Sequence, residues 1–220
     1  MKKFLCFALI AVMLFSMAAC TLEEKDDDVR GSITSDQNAE EKFSLGTTEN
    51  NRYENEFLGL SCTLSSDWVF YTEEEILELN NIVKGAMDED VAAAIENANL
   101  IYDMYASNTV NSSTVNVNLE KHTALQVAAM NLKTVIESQF PALEDTYKNM
   151  GCTSVNIQYK KVTVDGKELD GAEIAAEIAG QDFRCILFCF KKGRYLANIA
   201  VAGFGADNVQ AILNCFTFTK

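Results

Sequence analysis

His122 is the only histidine in the chain. That closes several kinds of chemistry at once. A zinc site built on two histidines is impossible. A serine or cysteine protease centre needs a histidine beside a nucleophile and an orienting acid. No Gly-x-Ser-x-Gly occurs, and nothing ties a cysteine to His122, which lies between Lys121 and Thr123. It reads as an exposed histidine at the end of a strand. There is no Walker-type loop, and no Gly-x-Gly-x-x-Gly follows a strand. Phosphate and dinucleotide chemistry therefore have no support. Carboxylates are plentiful, with 32 Asp and Glu. A pair could run glycoside hydrolysis, but among so many acids a pair carries little information. Glu73-Glu74-Glu75 and Asp88-Glu89-Asp90 resemble metal clusters. They read more simply as acids set against the positive ends of helix dipoles. No catalytic, cofactor-binding or metal-ligating residue is assigned, and no cofactor is expected.

The seven cysteines divide by position. Cys6 and Cys20 lie in the N-terminal segment. Cys62, Cys152, Cys185, Cys189 and Cys215 lie beyond it. An odd number cannot all pair internally. Cys185 and Cys189 are too far apart along one strand to bridge. They read as small buried apolar residues with inert thiols. Cys152, next to Gly151, is the one expected to be exposed.

These residues are positioned by a chain organised around Asp182–Gly203. Two apolar runs flank Lys191-Lys192-Gly193-Arg194, which predicts a β-hairpin. Both faces of each run are apolar, so both need a cover. The hairpin is expected in the middle of a sheet with helices on each side. Upstream, Tyr53–Phe57 and Leu60–Leu64 predict two strands around Leu58-Gly59. Thr72 with Glu75 three residues on predicts a capped helix. Leu100–Ala106 and Thr114–Glu120 predict strands. In the second, Val115, Val117 and Leu119 face in, while Asn116, Asn118 and Glu120 face the other way. That polar face predicts an edge strand, or else a shallow binding surface.

From Leu125 to Met150 one apolar stripe runs at helical spacing. Pro141, the only proline, should kink or restart that helix, and Gly151 should end it. Cys152–Val164, the turn Asp165-Gly166 and Lys167–Ala179 predict a second hairpin. Asp207–Cys215 predicts a last helix that buries Val209, Ile212 and Leu213.

The N-terminal segment locates the protein. Met1-Lys2-Lys3 is basic, Phe4–Ala19 is uncharged and apolar, and Ser16-Met17-Ala18-Ala19 precedes Cys20. A cysteine after Ala-Ala is similar to a bacterial lipobox, with Met17 in place of the usual leucine. The resemblance implies diacylglyceryl transfer to Cys20, which becomes the mature N-terminus. Residues 1–19 are the expected signal peptide. Residues 20–51 are an acidic tether with too little apolar surface to fold. Residues 52–220 are a single domain. The net charge of −14 argues against nucleic acid as a partner.

Tyr53-Glu-Asn-Glu-Phe57-Leu58-Gly59-Leu60-Ser-Cys-Thr-Leu64-Ser-Ser-Asp-Trp68 resembles the opening of PsbP-like domains. That superfamily includes the DcrB-type lipoproteins. Ser65 and Asp67 stand where the family has proline and glycine. The later order of long helix, meander and terminal helix also fits. The resemblance implies an α+β fold, an α/β/α sandwich with a largely antiparallel central sheet. It also implies a non-enzymatic binding or assembly role, and it transfers no functional residue. The expected protein is a lipid-anchored extracytoplasmic binding domain. It is held to the membrane through Cys20 and meets a protein or envelope component. The alternative is a carboxylate-based hydrolase, or a protein that captures a small ligand or metal.

Overall fold

Strands β9 (Gln181–Lys192) and β10 (Tyr195–Phe204) form the expected hairpin, closed at Gly193 with φ +57°. The computed structural model describes residues 43–80 and 98–219. On each side of the hairpin the sheet grows by antiparallel pairing. β6 (Thr114–Lys121), β5 (Leu100–Asn108) and β4 (Trp68–Phe70) extend it beyond β10. β8 (Lys167–Ile178) and β7 (Thr153–Val164) extend it beyond β9. The seven strands lie in the order β4-β5-β6-β10-β9-β8-β7. The meander runs on tight turns. Asp165-Gly166 and Ala179-Gly180 each place two successive residues at positive φ, the geometry of type I′ hairpin turns.

One face of this sheet is covered by a second, smaller sheet and one helix. The small sheet has the order β1-β2-β3-β11, with β1 (Thr47–Glu49), β2 (Arg52–Asn55), β3 (Leu60–Thr63) and β11 (Phe216–Phe218). Beneath it Val115, Val117, Leu119, Phe188, Ile199 and Val201 meet Tyr53, Leu60, Cys62 and Phe216. The last helix, Ala206–Leu213, buries Val209, Ile212 and Leu213 against the same core. The opposite face carries the other helices. They are α1 (Glu73–Leu79), α2 (Ala124–Ala129), α3 (Leu132–Ser138) and α4 (Phe140–Asn149); the last helix is α5. Helices on both faces of an antiparallel sheet make this the expected α+β fold.

Three expectations change. β6 is not an edge strand; it pairs with both β5 and β10, and the edges are β4 and β7. The helix expected over Leu125–Met150 is three helices. Met130 turns extended at ψ 126°, and Asn131 caps α3 by accepting from Thr134 N at 3.1 Å. Pro141 then sits in the first turn of α4. Leu125, at the head of the stripe, is 79% exposed. Finally, the folded domain reaches back before Arg52. Phe43 stacks on Tyr195, Gly46 N donates to Asp103 Oδ1 at 2.7 Å, and β1 pairs with β2. Residues 43–51, expected in the tether, thus belong to the fold. Cys20, the signal segment and the acids Asp88-Glu89-Asp90 lie outside the described residues.

Other expectations hold in detail. Thr72 and Glu75 form a reciprocal capping box on α1. Trp68 is buried under the small sheet. α1 divides between two clusters: Leu77 packs against the core that holds Trp68, and Ile76 packs on Tyr105.

Candidate functional site

The helix-bearing face of the large sheet is not uniform. Over β8 and β9 it is apolar: Ile174, Cys185 and Leu187 pack under Leu143 and Tyr147 of α4. Ala172 and Cys189 pack under Ile136 of α3. Where the same face reaches β6, and at Asn198 of β10 between the apolar Leu196 and Ala200, it becomes polar. Asn116, Asn118 and Glu120 alternate along β6, which puts them on one side of the strand. Asn198 stands directly opposite Asn118 on β10. All four are buried, at 1%, 4%, 4% and 1% exposure. The flanking strand β5 brings Tyr102 opposite Asn118 and Tyr105 opposite Asn116. His122 follows at the end of β6.

Hydrogen bonds link this cluster only loosely. Asn118 Nδ2 donates to Asn116 Oδ1 at 3.4 Å, and Asn198 Nδ2 donates to Glu120 Oε1 at 3.3 Å. His122 Nε2 lies 3.5 Å from Glu120 Oε2, close enough for charge to matter but without hydrogen-bond geometry. Asn116 Nδ2, Asn118 Oδ1, Asn198 Oδ1 and His122 Nε2 are buried with no hydrogen-bond partner. Each such group costs about 1–3 kcal/mol unless something satisfies it. A cluster of four is unusual, because buried polar atoms are nearly always paired.

Burial also shifts the titration of the cluster. Desolvation pushes the Glu120 carboxyl up to about 8 and lowers His122 below its ordinary value. At neutral pH an empty cluster therefore holds Glu120 mostly protonated and His122 neutral. His122 is not the exposed residue its sequence setting implied; its side chain is 19% exposed. A raised carboxyl can act as a general acid. Glycoside hydrolysis needs a second carboxylate within ~10 Å. On this face the nearest described candidate is Asp170, on β8, three strand spacings or ~14 Å across the sheet. Asp170 is engaged by Lys161 at 2.9 Å and Tyr159 at 2.6 Å, contacts that hold it below its ordinary value against the opposing effect of burial.

Two other polar sites are self-satisfied. Buried Asp103 accepts from Gly46 N, Asn55 Nδ2 at 2.8 Å and Tyr53 OH, and so ties the N-terminal segment to β5. Its burial raises the carboxyl. On the small-sheet side, a depression of about 240 Å³ is lined by Lys160, Glu173, Arg184, Asp207 and Gln210. Lys160 and Arg184 there are paired with Glu173 and Asp182 at 2.8–3.6 Å, so both basic groups of the depression are already engaged. Among the described residues no three His, Cys, Asp or Glu side chains converge as a metal cluster.

Cys62, Cys152, Cys185 and Cys189 are buried and Cys215 is half-buried. Burial raises every one of these thiols, Cys185 and Cys189 to about 12. Cys152, expected at the surface, is covered; Cys215 is the more open one.

The sequence matches no family model and no curated protein. Several solved structures match, two of them as follows. One, from Bacteroides thetaiotaomicron, is 9% identical with a TM-score of 0.39, covering 77% of this chain. The chain spans about half of that protein's length, 48%. The other is LpqN of Mycobacterium tuberculosis, described as involved in cell envelope biogenesis. It is 7% identical with a TM-score of 0.39, covering 73% of this chain and 83% of LpqN.

Proposed function

We propose that this protein is a non-catalytic binding domain of the PsbP-like type, tethered to the bacterial envelope by lipid on Cys20. The observation that supports binding is the buried polar floor of Asn116, Asn118, Glu120 and Asn198, set into an otherwise apolar sheet face. A fold that needed only stability would continue the apolar surface seen over β8 and β9. The tethering rests on the sequence Ser16-Met17-Ala18-Ala19-Cys20 behind an uncharged apolar run. Among the described residues no helix is long and apolar enough to cross a membrane. With the leader removed, the acyl chains of the diacylglyceryl group on Cys20 would supply attachment. The partner is a protein or envelope component, and the acidic chain disfavours nucleic acid.

Metabolic labelling with an alkynyl fatty acid tests the anchor. The wild-type chain should take up label and sediment with membranes. Cys20→Ala should lose label and leave the membrane fraction or remain unprocessed. An unlabelled wild-type chain, with a mature N-terminus away from Cys20, would overturn the tether.

A further inference from the structure

We infer that the polar cluster on β6 and β10 is a binding site for a single dehydrated alkali cation, held by the Glu120 carboxylate and the carboxamide oxygens of Asn118 and Asn198. This rests on reading the cluster as a binding site, and it names the ligand. Three features define the class. The site is closed: its unpartnered atoms are buried and its four side chains are almost fully covered. A closed site of this kind admits an ion or water, not a molecule the size of a sugar or nucleotide. Two of the four unpartnered atoms are carboxamide oxygens, Asn118 Oδ1 and Asn198 Oδ1, which with the Glu120 carboxylate make an all-oxygen ligand set; the other two, Asn116 Nδ2 and His122 Nε2, are nitrogens outside that set. Carbonyl-type oxygens of this kind replace the hydration shell of an alkali ion.

The charge count selects the valence. Glu120 is the one carboxylate in the cluster, and among the described residues no Lys or Arg ion pair reaches it; its ionisable neighbour is His122, which burial keeps neutral. A monovalent cation beside ionised Glu120 leaves the buried site neutral. A divalent ion would leave one positive charge buried and uncompensated, which is strongly unfavourable. The amide of Asn198 sits between the two ends of the cluster. It stands opposite Asn118 and bonded to Glu120, and rotating its carboxamide turns Oδ1 toward the carboxylate without moving the backbone. Asn116 holds Asn118 from the far side, and so acts as a positioning residue.

The full chain, purified in detergent and dialysed into tetramethylammonium chloride, supplies the test. Adding Na+ or K+ at constant ionic strength should raise Tm by about 3–6 °C as the site fills. The arm with the larger shift identifies the ion. Ca2+ at the same ionic strength should give less. Crystals soaked in Tl+ should show an anomalous peak between Glu120, Asn118 and Asn198. Asn198→Leu and Glu120→Gln should each abolish the selective shift and the peak. Equal Tm in Na+, K+ and tetramethylammonium, with no Tl+ peak, would show that water alone fills the cluster and would overturn the site. So would a shift that persists unchanged in a folded Asn198→Leu protein, because it would come from exposed carboxylates. If neither variant folds, the wild-type shift and peak still decide. Neither outcome depends on Cys20 labelling, so failure of the ion site and failure of the tether are read separately.

Discussion

Two parts of one sheet face, which meet on β10, share the same helical side of the molecule. Over β8 and β9 the face is built from Ala172, Ile174, Cys185, Leu187 and Cys189, each covered by α3 or α4. Over β6, and at Asn198 of β10, the equivalent positions are Asn116, Asn118, Glu120 and Asn198, equally buried but poorly bonded; the neighbours of Asn198 on β10, Leu196, Ala200 and Ala202, still belong to the apolar part. Burial is the same and chemistry differs. The apolar half contributes stability in proportion to the area it removes from water. The polar half works against stability unless a ligand or water satisfies it. Stability alone therefore accounts for one half and not for the other.

The sharpest contrast is in pH dependence, measured in buffer free of alkali ions. Glu120 has a folded-state value near 8 against an ordinary value near 4.5. Between these, the folded state holds a proton that the unfolded chain has released. Stability is then fully present below about pH 4.5 and is lost as pH rises through 8, by up to about 5 kcal/mol. Asp103, also raised, acts in the same direction. His122, lowered, acts oppositely, its contribution being lost as pH falls through its ordinary range. Glu120→Gln should flatten the decline between pH 5 and 8 in urea unfolding, while the effects of Asp103 and His122 remain. An unchanged profile would mean that Glu120 is hydrated and belongs to no closed cluster.

A pair of core substitutions should move stability in opposite directions. Leu143→Ala, on the inner face of α4, removes a fully buried side chain. It should cost about 2–5 kcal/mol through lost burial and a residual cavity. Asn198→Leu, at the same depth in the polar half, removes a buried carboxamide whose oxygen has no partner. In alkali-free buffer it should be neutral or gain about 1–2 kcal/mol. Equal losses at both positions would erase the distinction between the halves.

The apolar half was legible in the sequence because periodicity reports it directly. The alternation of Phe183, Cys185, Leu187 and Cys189 and the stripe Ile136, Leu143, Tyr147 each point at the core. The polar half was visible only as a pattern. Asn116, Asn118 and Glu120 on alternate positions look the same on an edge strand as on a central one. What decides between them is pairing on both sides by β5 and β10, which depends on distant chain. Asn198 gave a weaker signal still, one polar residue among Ala197, Ile199 and Ala200 in a fully buried strand; a polar residue at such a position is the cue to look for its partners. Asp103 was likewise hidden inside an apolar run; one of its three donors, Gly46 N, comes from the segment read as tether, and the other two, Tyr53 and Asn55, come from the strand that follows it. The helix break at Met130 did have a signal: Asn131 with Thr134 three residues on is a cap, overridden by the continuous stripe.

That break carries the smallest predicted effect and separates the halves once more. α2 leaves the end of β6 behind Thr123, which caps it by accepting from Gln126 N at 3.2 Å. It buries only Val127. α3 is capped by Asn131 and buries Ile136 over Ala172 and Leu196. A cap is worth about 0.5–2 kcal/mol. How that loss spreads depends on how strongly the helix is coupled to the core. Asn131→Ala should lower global stability by about 1 kcal/mol, because α3 opens only with the apolar half. Thr123→Ala should leave the global unfolding midpoint nearly unchanged. It should instead speed amide exchange within Ala124–Ala129, where the helix can fray alone. Hydrogen exchange on both variants measures this directly. If Thr123→Ala lowers the global midpoint as much as Asn131→Ala does, α2 is an integral part of the core, and the polar half is as firmly closed as the apolar one.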